Sequence, residues 1–259
     1  LSPIVFTFEP DFVLKKTRGA SGYICTKNVK EIILLEMLGA DDIVSVPFES
    51  ICGLSGEEFA REILCRQLGA GYVCCGNDFR FGKNASCGAK ELADFGKRFG
   101  FEVGVVSPVV CGGSIVSSSR VRELLLSGDI TAANELLGCS YFISAEVTQG
   151  NRIGRTIDFP TITQDFADGQ LVPRFGVYST LTNVGGEVFP SVTNIGVKPT
   201  IEGVRRPLAE THIIGFNGDL YGKNIDVSFR SFIRPEKKFP SLDALKAQIA
   251  ADIRSAGKK

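Results

Sequence analysis

Three consecutive serines, Ser117 to Ser119, stand directly before Arg120 and Arg122 and open an amphipathic pattern typical of a helix. Hydroxyls, free backbone N–H groups and guanidinium groups that meet at a helix N-terminus bind anions such as phosphate. A serine that caps an ordinary helix, with the arginines in solvent, explains the same residues. The residue types alone therefore leave phosphate binding by Ser117, Ser118, Ser119 and Arg120 and simple capping both open.

A second segment with hydroxyls and a cationic side chain starts at Gly154 and Arg155 and reaches Thr163. Pro160 fixes the backbone just before Thr161, and the hydroxyls of Thr161 and Thr163 point the same way in an extended segment. Oxygen ligands suit a hard cation such as Mg²⁺, and the flexible, cationic start suits a nucleotide phosphate. A plain surface turn is the alternative.

Glu210 precedes His212 by two positions in a segment that alternates like a β-strand, so both side chains are expected on one face. A glutamate that reaches a substrate hydroxyl there acts as a general base, whereas a solvated glutamate is the alternative. For His212, the only histidine of the chain, we expect packing or hydrogen bonding and no catalytic role.

The polar loop from Asn77 to Gly82 follows a predicted strand, at the edge where open α/β sheets place their ligands. Its two aromatic residues, Phe79 and Phe81, can stack on a flat ring with Asn77 and Asp78 beside them. A loop that folds onto the core is an equally good interpretation.

The first half of the chain alternates short β-rich runs with helical patterns, which predicts a parallel sheet flanked by helices. Ser55 with Glu58 forms a capping box before one helix, and Phe59 and Ile63, one turn apart, are expected to face the sheet. The expected strands are 3–8, 42–46, 72–75 and 102–106, and the expected helices are 27–38, 57–68 and 89–99.

The second half changes to period-two stretches separated by turns, which predicts a small antiparallel barrel. The pairs Gly185-Gly186 and Asn217-Gly218 are expected to form hairpin turns. Ser241 caps a last helix that presents Leu242, Leu245, Ile249 and Ile253 along one face. The expected strands are 141–148, 177–184, 188–194, 209–216 and 225–233. We place the domain boundary between residues 138 and 139.

Composition excludes several classes of protein. Hydrophobic residues make up 44% of the 259 residues, and 29 basic residues balance 29 acidic ones, so no overall positive field recruits nucleic acid. Eight cysteines without a C-x-x-C pair, and a single histidine, disfavour a zinc site and favour a reducing compartment. No apolar run is long enough for a membrane span. We expect a cytoplasmic protein with small-molecule partners, and the sequence does not support any particular oligomer.

Seven motifs together resemble the bacterial bifunctional riboflavin kinase and FAD synthetase family, in the family's order and over essentially all 259 residues. They are VSSSRVR, GNDFRFG, GRTIDFPTIT, TNIGVKPT, ETH, DLYGK and RPEKKF. The resemblance implies a nucleotidyltransferase-like, Rossmann-like α/β domain that adenylylates FMN. It also implies a six-stranded antiparallel barrel with a C-terminal helix, which phosphorylates riboflavin with ATP and Mg²⁺.

The resemblance also implies roles for individual residues. In the kinase, Glu210 would activate the ribityl 5′-hydroxyl, Thr161 would hold Mg²⁺ with Thr163 as second ligand, and Asn194 would organise the phosphate side. Gly154 and Arg155 would close over the nucleotide, and Arg234 and Glu236 would lie near the flavin. In the first domain, the ATP phosphates would bind to Ser117, Ser118, Ser119 and Arg120. The flavin and adenylyl site would be lined by Asn77, Asp78, Phe79 and Phe81.

The sequence departs from the family pattern at three places in the kinase half. Thr163 stands where the family has asparagine, Asp158 replaces a glycine near the triphosphate, and Pro235 replaces an acidic residue near the flavin. Mg²⁺ demands near-octahedral geometry, so the shorter Thr163 side chain is expected to weaken its binding. We therefore expect a weakened kinase, with a non-catalytic flavin- or nucleotide-binding relative as the alternative.

The family also opens with a glycine-rich turn and an H-x-G-H motif, whose histidines stabilise charge during adenylyl transfer. The only histidine here is His212, and Leu1 stands close to what resembles the family's second strand. We expect either a segment before Leu1 or a loss of this activity. We favour the segment, because a doubly wound sheet without its first strand exposes apolar surface. Conversion of FMN to FAD is expected only where that motif is supplied.

Overall fold

The structure, a computed structural model, describes residues 1–9, 22–150, 159–199 and 205–257. Their contacts divide into two compact units. The first, which we call the α/β unit, takes the described residues 1–9 and 31–116, and the second, the barrel unit, takes 22–30 and 117–257. By these contacts, residues 117–138 belong to the barrel unit, whereas the sequence-based boundary lies after residue 138. That boundary stays a prediction for the functional domains.

The first part of the chain forms the expected alternation of strands and helices. Its longer strands are β1 (Ile4–Phe8), β2 (Asp42–Val46), β3 (Tyr72–Gly76) and β6 (Glu102–Val106). Short two-residue strands are β4 (Arg80–Phe81), β5 (Cys87–Gly88), β7 (Val110–Cys111) and β8 (Ser114–Ile115). The helices are α1 (Lys27–Glu31, continued by π-helical Ile32–Met37), α2 (Gly56–Glu58, continued by π-helical Phe59–Gln67) and α3 (Ala89–Phe99).

The four longer strands pair in parallel, as predicted, and form two separate pairs. β1 pairs with β2, and β3 pairs with β6. Phe59 and Ile63 are buried in one apolar cluster with Phe81, Leu92 and Phe101, which confirms that this face of the helix is turned inward.

The capping box before α2 is present as predicted. Ser55 N–H donates to Glu58 Oε2 at 2.8 Å, and Glu58 N–H donates to Ser55 Oγ at 3.2 Å. These two bonds satisfy N–H groups that a helix start leaves without partners, so the local sequence fixes where α2 begins.

From residue 117 onward, the described part of the barrel unit contains two helices, then six strands and a last helix. The elements are α4 (Ser118–Ser127), α5 (Ile130–Leu137), β9 (Phe142–Glu146), β10 (Ile162–Asp165), β11 (Gly176–Val184), β12 (Glu187–Pro199), β13 (Arg205–Ile213), β14 (Asn224–Arg234) and α6 (Leu242–Ala256). The antiparallel strand order is β10-β13-β12-β11-β14-β9. Thr148 N–H donates to Thr163 O at 2.8 Å and links the two ends, so the barrel is nearly closed. Strand β10 was missing from the predicted strands because it is only four residues long.

One of the two predicted hairpins is confirmed and the other is wrong. Gly185 and Gly186 have φ values of +61° and +91°, as the tight turn between β11 and β12 requires. β13 and β14 do not pair with each other, because β13 lies between β10 and β12, and β14 lies between β11 and β9. Asn217 and Gly218 therefore belong to the longer connection 214–223 and not to a hairpin turn.

The barrel interior combines an apolar cluster with a chain of buried hydroxyls. Tyr178, Ile195 and Phe229 are fully buried in the cluster. Hydrogen bonds of 2.8–2.9 Å connect, in order, the hydroxyls of Thr182, Ser191, Thr180, Thr193 and Thr211. Strand pairing brings these groups together inside the barrel, where each polar group needs a partner.

Helix α6 packs on the outside of the barrel wall. Of the predicted apolar face, Ile253 packs in one cluster with Val177, Val192 and Ala256, and Leu245 and Ile249 are partly buried. Leu242 is the exception, because it is 59% exposed in the first turn. No helix among the described residues has the length and hydropathy needed to cross a membrane.

Candidate active site

Five cross-strand partners form one transverse row on one face of the barrel wall. Thr163 pairs with Glu210, and Glu210 pairs with Asn194. The row continues where Asn194 pairs with Val177, and Val177 with Arg234. Directly paired residues of neighbouring strands point to the same face, so backbone register alone brings these side chains together. Glu210, Asn194 and Arg234, which come from three separate motifs, are thereby placed on one surface.

A cavity of about 340 Å³ lies between this row and helix α6. Its apolar walls come from both sides: Val177 and Val192 from the barrel, Leu245 and Ile249 from α6, and Phe239 from the connection between them. Its polar lining includes Thr161, Asn194, Glu210, His212, Arg234 and Glu236. A mostly apolar cleft with a few converging polar groups is the usual form of a small-molecule site.

Arg234 is fixed at the end of β14 by a buried carboxylate of α6. Its Nε lies 3.1 Å from both Asp252 carboxylate oxygens, and its Nη2 lies 2.8 Å from Asp252 Oδ2. Asp252 is only 3% exposed and the Arg234 side chain 18%. Such a multiple contact orients the planar guanidinium group at the edge of the cavity.

Glu236 is held above strand β12 by a close backbone approach. Asn194 Nδ2 donates to Glu236 Oε1 at 3.3 Å. A Cβ atom on Gly196 would lie only 2.2 Å from the same oxygen, so any larger residue there would displace Glu236. The glycine of the TNIGVKPT motif therefore makes room for a side chain that lines the cavity.

His212 is hydrogen-bonded and packed, as predicted, and it also lines the cavity. Its Nδ1 lies 2.8 Å from Pro160 O, and because a carbonyl oxygen can only accept, Nδ1 carries the proton. The ring meets the Phe159 ring edge-on, with centroids 5.5 Å apart. His212 therefore anchors the chain just before Thr161.

The two threonines predicted to bind a metal lie differently. Thr161 is exposed and lines the cavity. Thr163 is 6% exposed, and a Cβ on Gly150 would lie 2.4 Å from its Oγ1, so its hydroxyl is close to that backbone. A joint role of Thr161 and Thr163 at a cation stays a prediction. Gly154, Arg155 and Asp158 lie outside the described residues.

In the α/β unit, the loop after β3 is folded partly onto the core. Phe81 is 7% exposed and belongs to the apolar cluster, and its ring stacks on that of Phe79 at 5.4 Å. Asn77 and Asp78 are exposed. For Phe81 the structure favours the core interpretation of this loop. A flavin contact of Asn77, Asp78, Phe79 or Phe81 stays a prediction.

The serine-rich segment caps α4. Ser117 Oγ accepts the N–H of Arg120 at 3.3 Å, and Ser118 and Ser119 are exposed in the first turn. This geometry confirms the cap and leaves phosphate binding a prediction. The segment belongs to the barrel unit, whereas Asn77 to Phe81 belong to the α/β unit.

Sequence reasoning missed several residues of this cavity. Asp252 lies eighteen positions after its partner Arg234, and nothing in the spacing indicates the contact. Val177 and Val192 look like ordinary strand residues. The signal for Gly196 was present, because an interior glycine in a strand often marks a close approach.

Two family models match the chain. A riboflavin kinase model matches residues 137–259, and an FAD synthetase model matches residues 1–120. A bifunctional riboflavin kinase/FMN adenylyltransferase of Escherichia coli K12 is 34% identical over 97% of this chain and 80% of its own length. The protein of the same description from Bacillus subtilis is 32% identical over 99% of this chain and 81% of its own length.

A solved structure also shares the fold. A Streptococcus pneumoniae protein described as a macrolide-efflux protein aligns with a TM-score of 0.83 and 26% identity, over 100% of this chain and 84% of that chain. The efflux description applies to that protein and is not extended to this chain. The sequence relatives decide the family, because they exceed 30% identity over most of both lengths. The chain belongs to the bifunctional riboflavin kinase/FMN adenylyltransferase family.

Proposed function

We propose that the barrel unit transfers the γ-phosphoryl group of ATP to the 5′-hydroxyl of riboflavin, giving FMN and ADP. The transverse row carries this proposal, since it places a carboxylate, an amide and a guanidinium group beside one apolar cleft. The site is enzymatic in its chemistry, and the described residues contain no observation that favours a non-catalytic flavin binder.

Glu210 is the proposed general base. It is the second residue of the row, half-buried, between Thr163 and Asn194. The carboxylate takes the proton of the ribityl hydroxyl as the hydroxyl oxygen attacks the γ-phosphorus. The bond from that phosphorus to the β–γ bridging oxygen breaks. ADP leaves with that oxygen. Phosphoryl transfer depends mainly on such positioning and on neutralisation of charge.

The apolar walls of the cavity are the proposed place for the flavin ring. Val177, Val192, Leu245 and Ile249 offer aliphatic contacts, and Phe239 offers an aromatic one. Arg234 and Glu236 at the edge supply a donor and an acceptor for the polar rim of the ring. This arrangement directs the ribityl chain toward Glu210.

The donor set around Thr161 fits Mg²⁺. The cavity lining offers the hydroxyl oxygen of Thr161 and, elsewhere in the same lining, the amide oxygen of Asn194. Mg²⁺ in nucleotide sites binds one or two protein oxygens, with the remainder from phosphates and water. When bound, Mg²⁺ supplies charge neutralisation of the phosphates. Thr161 would hold it, and Thr163, which stands where the family has asparagine, is the proposed second ligand.

A second activity, transfer of AMP from ATP to FMN, is proposed for the α/β unit. The match of residues 1–120 to the FAD synthetase model supports it. For this activity, Ser117 to Arg120 remain proposed ligands of the ATP phosphates, and Asn77, Asp78, Phe79 and Phe81 remain proposed flavin contacts. We further propose that the chain acts in the cytoplasm, which its eight free cysteine thiols support.

The experiment that tests the kinase is a product analysis by chromatography. The purified protein is incubated with riboflavin, ATP and Mg²⁺, and the sum of FMN and any FAD formed from it is expected to equal the amount of ADP. A parallel sample without riboflavin should release no ADP above the background. Flavin binding without ADP release would contradict the kinase and favour the non-catalytic relative.

A further inference from the structure

The segment from Arg234 to Phe239, which we call the rim segment, carries four of the side chains that line the cavity. They are Arg234, Glu236, Lys237 and Phe239. Arg234 is the last residue of β14, and the rest of the segment is the irregular connection to α6, so strand register does not fix the side chains after Arg234. Something else must hold them in place.

Helix α6 provides two side chains that bond this segment at Arg234 and at Lys237. Asp252 binds Arg234 through three contacts of 2.8–3.1 Å. Gln248 Nε2 donates to Asp252 Oδ1 at 2.9 Å, and Gln248 Oε1 accepts from Lys237 Nζ at 2.9 Å. A continuous hydrogen-bonded chain thus leads from Arg234 through Asp252 and Gln248 back to Lys237.

Gln248 and Asp252 are four positions apart in α6. Positions four apart lie on the same face of a helix, so Gln248 and Asp252 both face the rim segment. Asp252 is 3% exposed, and a buried carboxylate needs its cationic partner to balance the cost of leaving water. From the other side, Asn194 binds Glu236. The rim segment is therefore held between the barrel wall and α6.

We propose that Asp252 and Gln248 are positioning residues that hold the rim segment in the conformation that binds the flavin ring. The inference rests on the proposed function of the cavity, and it adds that α6 sets the affinity for the flavin. Asp252 acts through Arg234, and Gln248 couples Asp252 to Lys237. Neither residue takes part in phosphoryl transfer.

A positioning role for Asp252 predicts that its replacement weakens flavin binding and leaves turnover nearly unchanged. Asp252→Asn keeps the side-chain volume and removes the charge that orients Arg234. We expect the Kd of riboflavin, measured by quenching of its fluorescence, to rise at least tenfold, while kcat at saturating riboflavin stays within about threefold. The matched control is Arg254→Ala, which alters an exposed residue of the same helix and should leave both values unchanged.

A double-mutant cycle shows whether Asp252 acts through Arg234. In an Arg234→Met background, Asp252→Asn should add less than twofold to the Kd. An equal loss in both backgrounds, or an unchanged Kd in Asp252→Asn alone, would overturn the inference. A parent protein that neither binds riboflavin nor forms FMN would instead overturn the proposed function.

A second variant covers the case in which Asp252→Asn does not fold. Gln248→Met keeps a similar length but loses the bonds to Asp252 and Lys237. A Kd raised about threefold, with an unchanged far-ultraviolet circular dichroism spectrum, supports the positioning role. A Kd equal to that of the parent in this folded variant contradicts it.

Discussion

The two units of the chain place their polar groups in different environments. In the barrel unit, the hydroxyls of Thr180, Thr193 and Thr211 are at most 1% exposed and bonded to one another. The α/β unit packs phenylalanines in its core, and its Arg66–Glu62 ion pair has side chains that are 68% and 33% exposed. Replacing a buried polar group that strand pairing holds in the barrel is expected to lower the folding stability. Replacing a member of an exposed ion pair is expected to change it little.

The difference also concerns the candidate sites. The row of the barrel unit is built on strands, where backbone register fixes which side chains meet. In the α/β unit the predicted ligand residues Asn77 and Asp78 lie in an exposed turn. Strand pairing fixes the positions of the row residues before any ligand binds, so each of them can be tested by a single substitution.

The largest effect is expected at Glu210, the proposed general base. Glu210→Gln should lower riboflavin phosphorylation by about 10²- to 10⁴-fold, because a neutral amide does not accept the hydroxyl proton. The Kd of riboflavin should change little, since the side chain keeps its size. FMN formation by chromatography measures the first value and fluorescence quenching the second.

Glu187→Gln is the matched control for that variant. Glu187 is exposed at the start of β12, and its replacement should leave turnover unchanged. Equal turnover in the parent and Glu210→Gln proteins would remove Glu210 from the mechanism.

A smaller effect is expected inside the barrel. Thr193→Val removes a hydroxyl that bonds Thr180 and Thr211, and leaves those buried groups with fewer partners. The free energy of unfolding should fall by ~1–3 kcal/mol. Urea unfolding measures it, and Thr131→Val, at an exposed threonine of α5, should change it by less than about 0.5 kcal/mol. Equal losses in both variants would remove the contrast between buried and exposed hydroxyls.

The smallest effect is expected at the helix cap of the α/β unit. Ser55→Ala should lower the unfolding temperature by about 2–4 °C, because α2 loses the side chain that accepts the Glu58 N–H. The exposed Arg66→Gln change should lower it by about one degree at most. Thermal unfolding followed by circular dichroism compares the two, and a larger shift for Arg66→Gln would contradict this ranking.

The capping box also predicts a pH dependence. The Ser55 backbone N–H, and then the Ser55 hydroxyl, hold the pKa of Glu58 below its ordinary value of 4.5. A carboxyl with a lowered folded-state pKa stabilises the fold above its unfolded pKa, and this contribution is lost as pH falls through the folded value. The stability difference between parent and Glu58→Gln should therefore be largest above about pH 4.5 and shrink in more acidic solution. A difference that grows on acidification would contradict it.

Much of the fold and part of the site followed from the sequence, for identifiable reasons. Period-two patterns located five of the six barrel strands, and β10 was too short to show a period. Glu210, Asn194 and Arg234 were found because each lies in a family motif. Their proximity was not predictable from spacing, because the register of β12, β13 and β14 depends on strand pairing. The Arg234–Asp252 contact depends on how α6 packs against the barrel, which no local pattern encodes.

The central claim is that the cavity between the transverse row and α6 binds riboflavin with its reacting hydroxyl at Glu210. A crystal structure of the protein with riboflavin and ADP tests this most directly. We predict the flavin ring against Val177, Leu245 and Ile249, and the 5′-hydroxyl about 2.6–3.2 Å from a Glu210 carboxylate oxygen. A flavin bound elsewhere on the barrel unit, with Glu210 out of reach of its ribityl chain, would contradict the account.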